Sequence, residues 1–284
     1  MKHLERTALI TGSASGFGLL TTITLARRGW RVLATMRDLS RRDRLEKAAQ
    51  AAGVLDCIEV LPLDVTNAGQ IAALAADIAA RPTPLDVLIN NAGFPMAGFA
   101  DDVSDEELRR QFDTNFFGAA AVTRAFLPQL RRQGSGHIVF VSSISGRMGF
   151  PGVSSYCASK FALEGWAETL RLELKPLGIQ VVLVEPGSFE TDIWTRNANV
   201  SAATRDPHSP NAARIAKWRL RMESPKPKAN PQAVADGIAA ILANPRPNLR
   251  YVFGTDAKMG LLMRRLLPWS ALERFLIKAS GITE

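Results

Sequence analysis

Thr7-Ala8-Leu9-Ile10-Thr11-Gly12-Ser13-Ala14-Ser15-Gly16-Phe17-Gly18 is the stretch on which the fold turns. Its first four residues form a short apolar, β-prone run. The glycines follow at GxxxGxG spacing, and a helix-period segment runs from Gly16 to Arg28 until Gly29 ends it. Glycine lets the backbone turn sharply and come close to a bound group. A helix that opens directly after such a turn aims its unpaired N–H groups at an anion. A glycine-rich turn by itself is a weak signal, but a strand before it and a helix after it make it a pyrophosphate cradle. Gly12, Ser15, Gly16, Phe17 and Gly18 are therefore candidate cofactor-binding residues.

The same alternation continues outward. Apolar runs at Arg31–Thr35, Cys57–Leu63, Val87–Ile89, His137–Val141 and Gln180–Val184 are separated by helical segments, with capping-box spacing at Ser40 and Asp43. The helical segments include an Ala-rich one at Ala68–Ala80, a long one at Glu106–Gln133 and another at Tyr156–Leu177. Runs that are apolar throughout, with helices between them, predict a doubly wound parallel α/β sheet of about seven strands covered on both faces. Ligands of such a sheet bind beyond the carboxyl ends of its strands. After Pro186-Gly187 the texture changes. Residues 192–230 are polar, basic and rich in proline, and read as a lid over the site. A helix at Pro231–Ala243 and a strand at Tyr251–Phe253 follow, then an apolar, basic extension over about 256–284 broken by Pro268. The whole chain, 1–284, reads as one domain with these two additions. The extension is expected to dock on the body or a neighbouring subunit, with peripheral membrane contact the lesser alternative.

Composition narrows the function classes. The formal net charge is +8, yet eight basic and two acidic residues lie between Arg196 and Asn230, so +6 of it sits in that stretch of the lid. A basic patch confined to one segment suits local recognition, not a nucleic-acid-binding face. The two cysteines, Cys57 and Cys157, form no CxxC pair, and His3, His137 and His208 are scattered, so no disulfide framework or metal site is expected. A reducing, cytoplasmic setting fits, with no signal peptide and no membrane span.

Two constellations carry the chemistry. An acid that binds ribose is expected about 20 residues beyond the glycines, where Asp38 lies. The strand, however, ends at Thr35 or Met36, so Arg37 comes first and Asp38 falls in the following turn. Arg37 can pair with a 2′-phosphate, which favours NADP(H) over NAD(H). Tyr156 and Lys160 are spaced i, i+4 and share a helix face. A lysine ammonium near a phenol is expected to bring its pKa towards neutrality, as acid–base work requires. Ser143 closes the run His137–Val141, where its hydroxyl can hold a substrate oxygen against that phenol. Cys157 reads as a small helix residue. Trp194, Phe189 and Met148 read either as pocket lining or as core and lid packing.

With these pieces in place, the sequence resembles the classical short-chain dehydrogenase/reductases over its first 190 residues. The matching pieces are Thr11–Gly18, Leu63-Asp64-Val65, Asn90-Asn91-Ala92-Gly93, Asn115, Ser143, Tyr156-Cys157-Ala158-Ser159-Lys160 and Pro186-Gly187 with Thr191. The resemblance implies that Asp64 and Val65 hold the adenine, that Asn91 and Ala92, followed by Gly93, line the adenosine ribose, and that Lys160 bonds the nicotinamide ribose. It also implies that Tyr156, Pro186 and Gly187 belong to the cofactor site, that Thr191 touches the carboxamide, and that Asn115 keeps a water in a proton relay. Met36-Arg37 is similar to the NADP-preferring subgroup, with Ser15 adding a phosphate bond. Ala34–Asp38 and Tyr156–Gly165 are closest in texture to 17β-hydroxysteroid and retinol dehydrogenases. The implied function is hydride transfer between NADP(H) and a ketone or secondary alcohol on a bulky apolar, steroid-, retinoid- or polyketide-like substrate, in a homodimer or homotetramer. The catalytic set is Asn115, Ser143, Tyr156 and Lys160. The alternatives are an NAD-dependent alcohol dehydrogenase, a reductase of an anionic or carrier-bound substrate drawn by the basic lid, and a non-catalytic cofactor sensor.

Overall fold

The computed structural model describes residues 6–191, 199–223 and 229–282. Its strands are β1 (Thr7–Ile10), β2 (Arg31–Met36), β3 (Ile58–Pro62), β4 (Val87–Asn90), β5 (Met96–Ala97), β6 (Gly136–Val141), β7 (Ile179–Pro186), β8 (Asn199–Val200) and β9 (Arg250–Phe253). Seven of them form one parallel sheet in the order β3-β2-β1-β4-β6-β7-β9. The order reverses between β1 and β4, and a crevice opens there beyond the strand ends. The helices are α1 (Gly16–Arg27), α2 (Asp43–Ala51), α3 (Ala68–Ala80), α4 (Asp105–Phe112), α5 (Ala119–Gln133), α6 (Ser154–Leu174), α7 (Ala212–Glu223), α8 (Gln232–Leu242), α9 (Thr255–Leu266) and α10 (Trp269–Ser280). None of the described helices is long and apolar enough to cross a membrane.

Successive strand side chains point to opposite faces, and each face has its own core. On one face Leu9, Leu33, Leu88, Ile138, Phe140 and Leu183 pack against Ile71 and Leu74 of α3, Phe126 of α5 and Leu163 and Leu170 of α6. On the other, Ala8, Ile10, Val32, Val139 and Val182 meet Leu25 of α1 and Val234 and Ile238 of α8. This two-sided burial is why the strands read as unbroken apolar runs. Phe140 is fully buried and meets the Trp166 ring edge-on at 5.6 Å. Phe140→Ala is expected to cost about 3–5 kcal/mol in a urea unfolding titration; a loss below about 1 kcal/mol would mean that the ring carries little of the core.

Several local readings are corrected. Ser40 does not cap a helix. Asp38 accepts a hydrogen bond from the Ser40 N–H at 3.0 Å and starts a short 3₁₀ turn, Leu39–Arg41, before α2 begins at Asp43. The long helix expected from Glu106 begins one residue earlier, at Asp105, capped by Ser104, and a π-helical turn over Asp113–Gly118 divides it into α4 and α5. The 192–230 segment was expected to be irregular. Residues 192–198 and 224–228 lie outside the described residues, Trp194 among them, but the remainder contains β8 and the helix α7. β8 pairs with β5 in a small two-stranded sheet that the sequence analysis did not anticipate. Asp102 ties the same segment to the body by accepting from the Ser209 hydroxyl at 2.7 Å and the Asn211 amide at 3.1 Å.

Candidate functional site

A cavity of about 450 Å³ lies at the reversal point of the sheet. The glycine turn forms its floor. Gly12 has φ +71°, and a side chain there would run into the Ala92 backbone at 2.8 Å. The Asn91 amide holds the turn by donating to the carbonyls of Thr11 and Gly12 at 2.9 and 3.0 Å. Gly18 serves closeness in another way, since a Cβ on it would lie 2.3 Å from the Gly12 carbonyl oxygen. The first turn of α1 therefore packs hard against the loop. No side chain caps α1, so its leading N–H groups face the cavity without that partner.

Of the residues singled out in the sequence, Gly12, Ser15, Gly16, Phe17, Arg37, Asp64, Val65, Asn91, Ala92, Gly93 and Thr191 line this cavity. Gly18, Asn115, Ser143, Tyr156, Lys160, Pro186 and Gly187 do not; Gly187 donates its N–H to the Phe253 carbonyl and packs on Asp256. Arg41 was missed. The 3₁₀ turn after Asp38 brings it back beside Arg37 at the cavity edge, so two guanidinium-bearing residues border the same end. The available signal was a second arginine four residues after the first. Phe94, Arg110, Thr114 and Asn199 are further lining residues without a sequence signal. Among the described residues, the buried Thr191 hydroxyl has no hydrogen-bond partner.

The second group lies next to the cavity. Ser143 follows β6, and its Oγ accepts from the Ser145 N–H at 3.1 Å. Tyr156, in the first turn of α6, is 4% exposed and shares a hydrogen bond with the Ser143 side chain. Lys160 sits one turn further, is buried, and donates from Nζ to the Val141 carbonyl at 2.8 Å. Gly93 lets this group approach the cavity: a Cβ on it would stand 3.1 Å from Asn115 Oδ1 and 3.8 Å from Lys160 Nζ. Asn115, within the π-helical turn, accepts from the Phe94 N–H and donates to the Phe94 carbonyl, each at 3.0 Å, and donates to Ser159 Oγ at 3.2 Å.

Burial dominates the electrostatics. It pushes the Tyr156 phenol up to about 12, partly opposed by the Ser143 hydrogen bond. It pushes the Lys160 ammonium down to about 8, against the pull of the Glu164 carboxylate. The expectation that the lysine draws the phenol towards neutrality is not met in this state. Lys160 Nζ is 5.9 Å from the Tyr156 ring centre, and desolvation of the phenolate is the largest influence on the phenol. Beneath the site, the fully buried Glu185 accepts from Arg147 at 3.0 Å and pairs with Arg250 at 3.2 Å, while Arg250 also holds Glu164 at 3.0 Å. This network joins the loop after Ser143 to β7, β9 and α6. Its sequence signal was an acid in an otherwise apolar strand.

The profile of the short chain dehydrogenase family matches residues 6–201. The uncharacterized oxidoreductase YusZ of Bacillus subtilis is 41% identical over 276 residues, covering 96% of this chain and 98% of that protein. Human retinol dehydrogenase 8 is 37% identical, covering 88% and 82%, and human 17β-hydroxysteroid dehydrogenase type 1 is 34% identical, covering 91% and 80%. Among solved structures, a short-chain dehydrogenase from Burkholderia cenocepacia in complex with NADP is 25% identical with a TM-score of 0.76, covering 98% and 99%. One from Burkholderia phymatum in complex with NAD is 26% identical with a TM-score of 0.77, covering 96% of each chain.

Proposed function

The chain belongs to the short-chain dehydrogenase family, and on that premise we propose that it moves a hydride between NADP(H) and a ketone or secondary alcohol on a bulky apolar substrate. The observation that carries this reading is the juxtaposition of Tyr156, Ser143 and Lys160 next to the cavity, behind the lining residue Gly93, on which a Cβ would stand 3.8 Å from Lys160 Nζ. The cavity residues fit that cofactor. The uncapped start of α1 suits a pyrophosphate, Arg37 and Arg41 suit a 2′-phosphate, and the unpartnered Thr191 hydroxyl suits a carboxamide. When bound, the nicotinamide supplies the hydride.

The chain's own residues supply the rest. Ser143 orients the substrate oxygen against the Tyr156 phenol. Tyr156 gives that oxygen its proton in reduction and takes it back in oxidation. Lys160 holds the nicotinamide ribose and places a positive charge on the phenol's side of the site. Asn115 fixes the π-helical turn against Phe94, and a water held there would connect Lys160 to solvent.

Apolar substrates are favoured by the surroundings. Val153, Tyr156 and Cys157 form a buried cluster with Phe150 and with Trp218 of α7, whose indole N–H donates to the Pro151 carbonyl at 3.2 Å. Two relatives above carry names that refer to retinol and to 17β-hydroxysteroids. Arg214, one of the cations of the lid segment, stacks at 4.5 Å on the Phe99 ring, so part of that charge is engaged in packing. A panel of steroid, retinoid and short aliphatic carbonyls, followed by NADPH and NADH consumption, tests the reading. The expected result is highest kcat/KM with NADPH and a polycyclic or long-chain carbonyl. Preference for short or anionic carbonyls would refute the substrate class.

A further inference from the structure

Helix α9 is apolar on the wrong side. It docks on the body through Ala257, which is buried, through Gly260, where a Cβ would stand 3.3 Å from the Met148 sulfur, and through Arg264, which lies 5.8 Å over the Phe161 ring. The opposite face of a docked helix is ordinarily polar. Here it holds Met259, Leu262 and Leu266, spaced i, i+3, i+7 in a single stripe and 58%, 49% and 68% exposed. Leu267 and Trp269 continue the apolar surface round the Pro268 corner, Trp269 being 64% exposed, and Phe275 of α10 is half exposed. Five basic and two acidic residues lie between Thr255 and Gly281. One of the acids, Asp256, is turned inward, accepting the Ser188 N–H at 2.7 Å.

We propose that the α9–α10 hairpin docks this protein on an anionic lipid bilayer, with Met259, Leu262, Leu266 and Trp269 entering the acyl boundary and Lys258 and Arg265 on the headgroups. An exposed apolar stripe flanked by cations, with a tryptophan at its end, is the pattern that interfacial helices use. Tryptophan favours the level where apolar chains meet wet headgroups. Charge decides against a second copy of the chain as the occupant. A symmetric contact with the stripe on the two-fold axis would bring two sets of Lys258 and Arg265 close together, whereas acidic headgroups neutralise them. Since α9 rests on Met148, in the loop after Ser143, docking would hold the candidate site beside the membrane. The surface argument does not depend on which substrate is used.

The test is flotation of the full chain with two kinds of vesicle, pure phosphatidylcholine and equal parts phosphatidylcholine and phosphatidylglycerol. The expected result is binding to the acidic vesicles, weakened at least about tenfold by Lys258→Glu with Arg265→Glu and by Leu262→Glu with Leu266→Glu. All four side chains are exposed, and unchanged melting curves would show that the variants fold. Tryptophan emission should be quenched by brominated acyl chains in the wild type, and substantially less in Trp269→Phe. Equal binding to both vesicles, no binding, or binding untouched by these substitutions would overturn the proposal. So would loss of an oligomer in the Leu262→Glu, Leu266→Glu variant during gel filtration, which would assign the stripe to a subunit contact.

Discussion

Tyr156→Phe is expected to lower turnover by about 10²- to 10⁴-fold while leaving the affinity for NADPH within about twofold of wild type. The substitution removes one oxygen. The ring, which packs with Val153, Phe150 and Trp218, keeps its place, so the cavity retains its shape. What disappears is the proton on the substrate oxygen and the Ser143 hydrogen bond that orients it. Burial holds that proton firmly, and a nearby water cannot take over without entering a buried site where Tyr156 is 4% exposed. Single-turnover assays at saturating cofactor separate this from a binding defect. A variant that turns over like wild type would remove Tyr156 from the chemistry.

The second large effect concerns the choice of cofactor. Replacing Arg37 and Arg41 together by alanine should weaken NADPH binding by roughly 10²- to 10⁴-fold, the loss of two charge-assisted contacts at about 1.5–3 kcal/mol each. NADH lacks the 2′-phosphate, so its affinity should hardly change. Both arginines border one end of the cavity, and the sequence places no acid at Met36, the last residue of β2, to accept ribose hydroxyls. Asp38 is already engaged as the cap of the 3₁₀ turn through Ser40. Titration of cofactor fluorescence measures both constants. An equal loss for the two cofactors would show that the arginines act on the shared part of the dinucleotide.

The features legible in the sequence are those set by local backbone demands or by periodicity. Apolar runs such as Val181–Val184 announce a strand covered on both sides, and the glycines of Gly12–Gly18 announce a close approach, because no other residue permits it. Arg41 escaped notice because its position depends on a 3₁₀ turn that an aspartate starts, and Ser40 offered a competing cap. The π-helical turn over Asp113–Gly118 leaves no periodic trace. It nevertheless places Asn115 against Phe94 and beside Gly93. The β5–β8 pairing joins two-residue strands a hundred residues apart, too short for any pattern. The titration of Tyr156 was misread for a different reason. Sequence spacing shows that Lys160 is near, but only burial reveals that desolvation is the largest influence on the phenol. The exposed stripe on α9 was legible as an apolar, basic segment; which of its faces met the body was not.

Hydride delivery to a carbonyl whose oxygen takes its proton from Tyr156 is tested most directly by isotope transfer. Purified protein would be incubated with a polycyclic ketone and NADPH deuterated at the transferable position of the nicotinamide, and the alcohol examined by mass spectrometry. The predicted result is deuterium on the carbinol carbon from the wild-type protein and almost none from Tyr156→Phe in the same time. Absence of labelled alcohol from the wild type across the carbonyl panel, with NADPH bound, would contradict it.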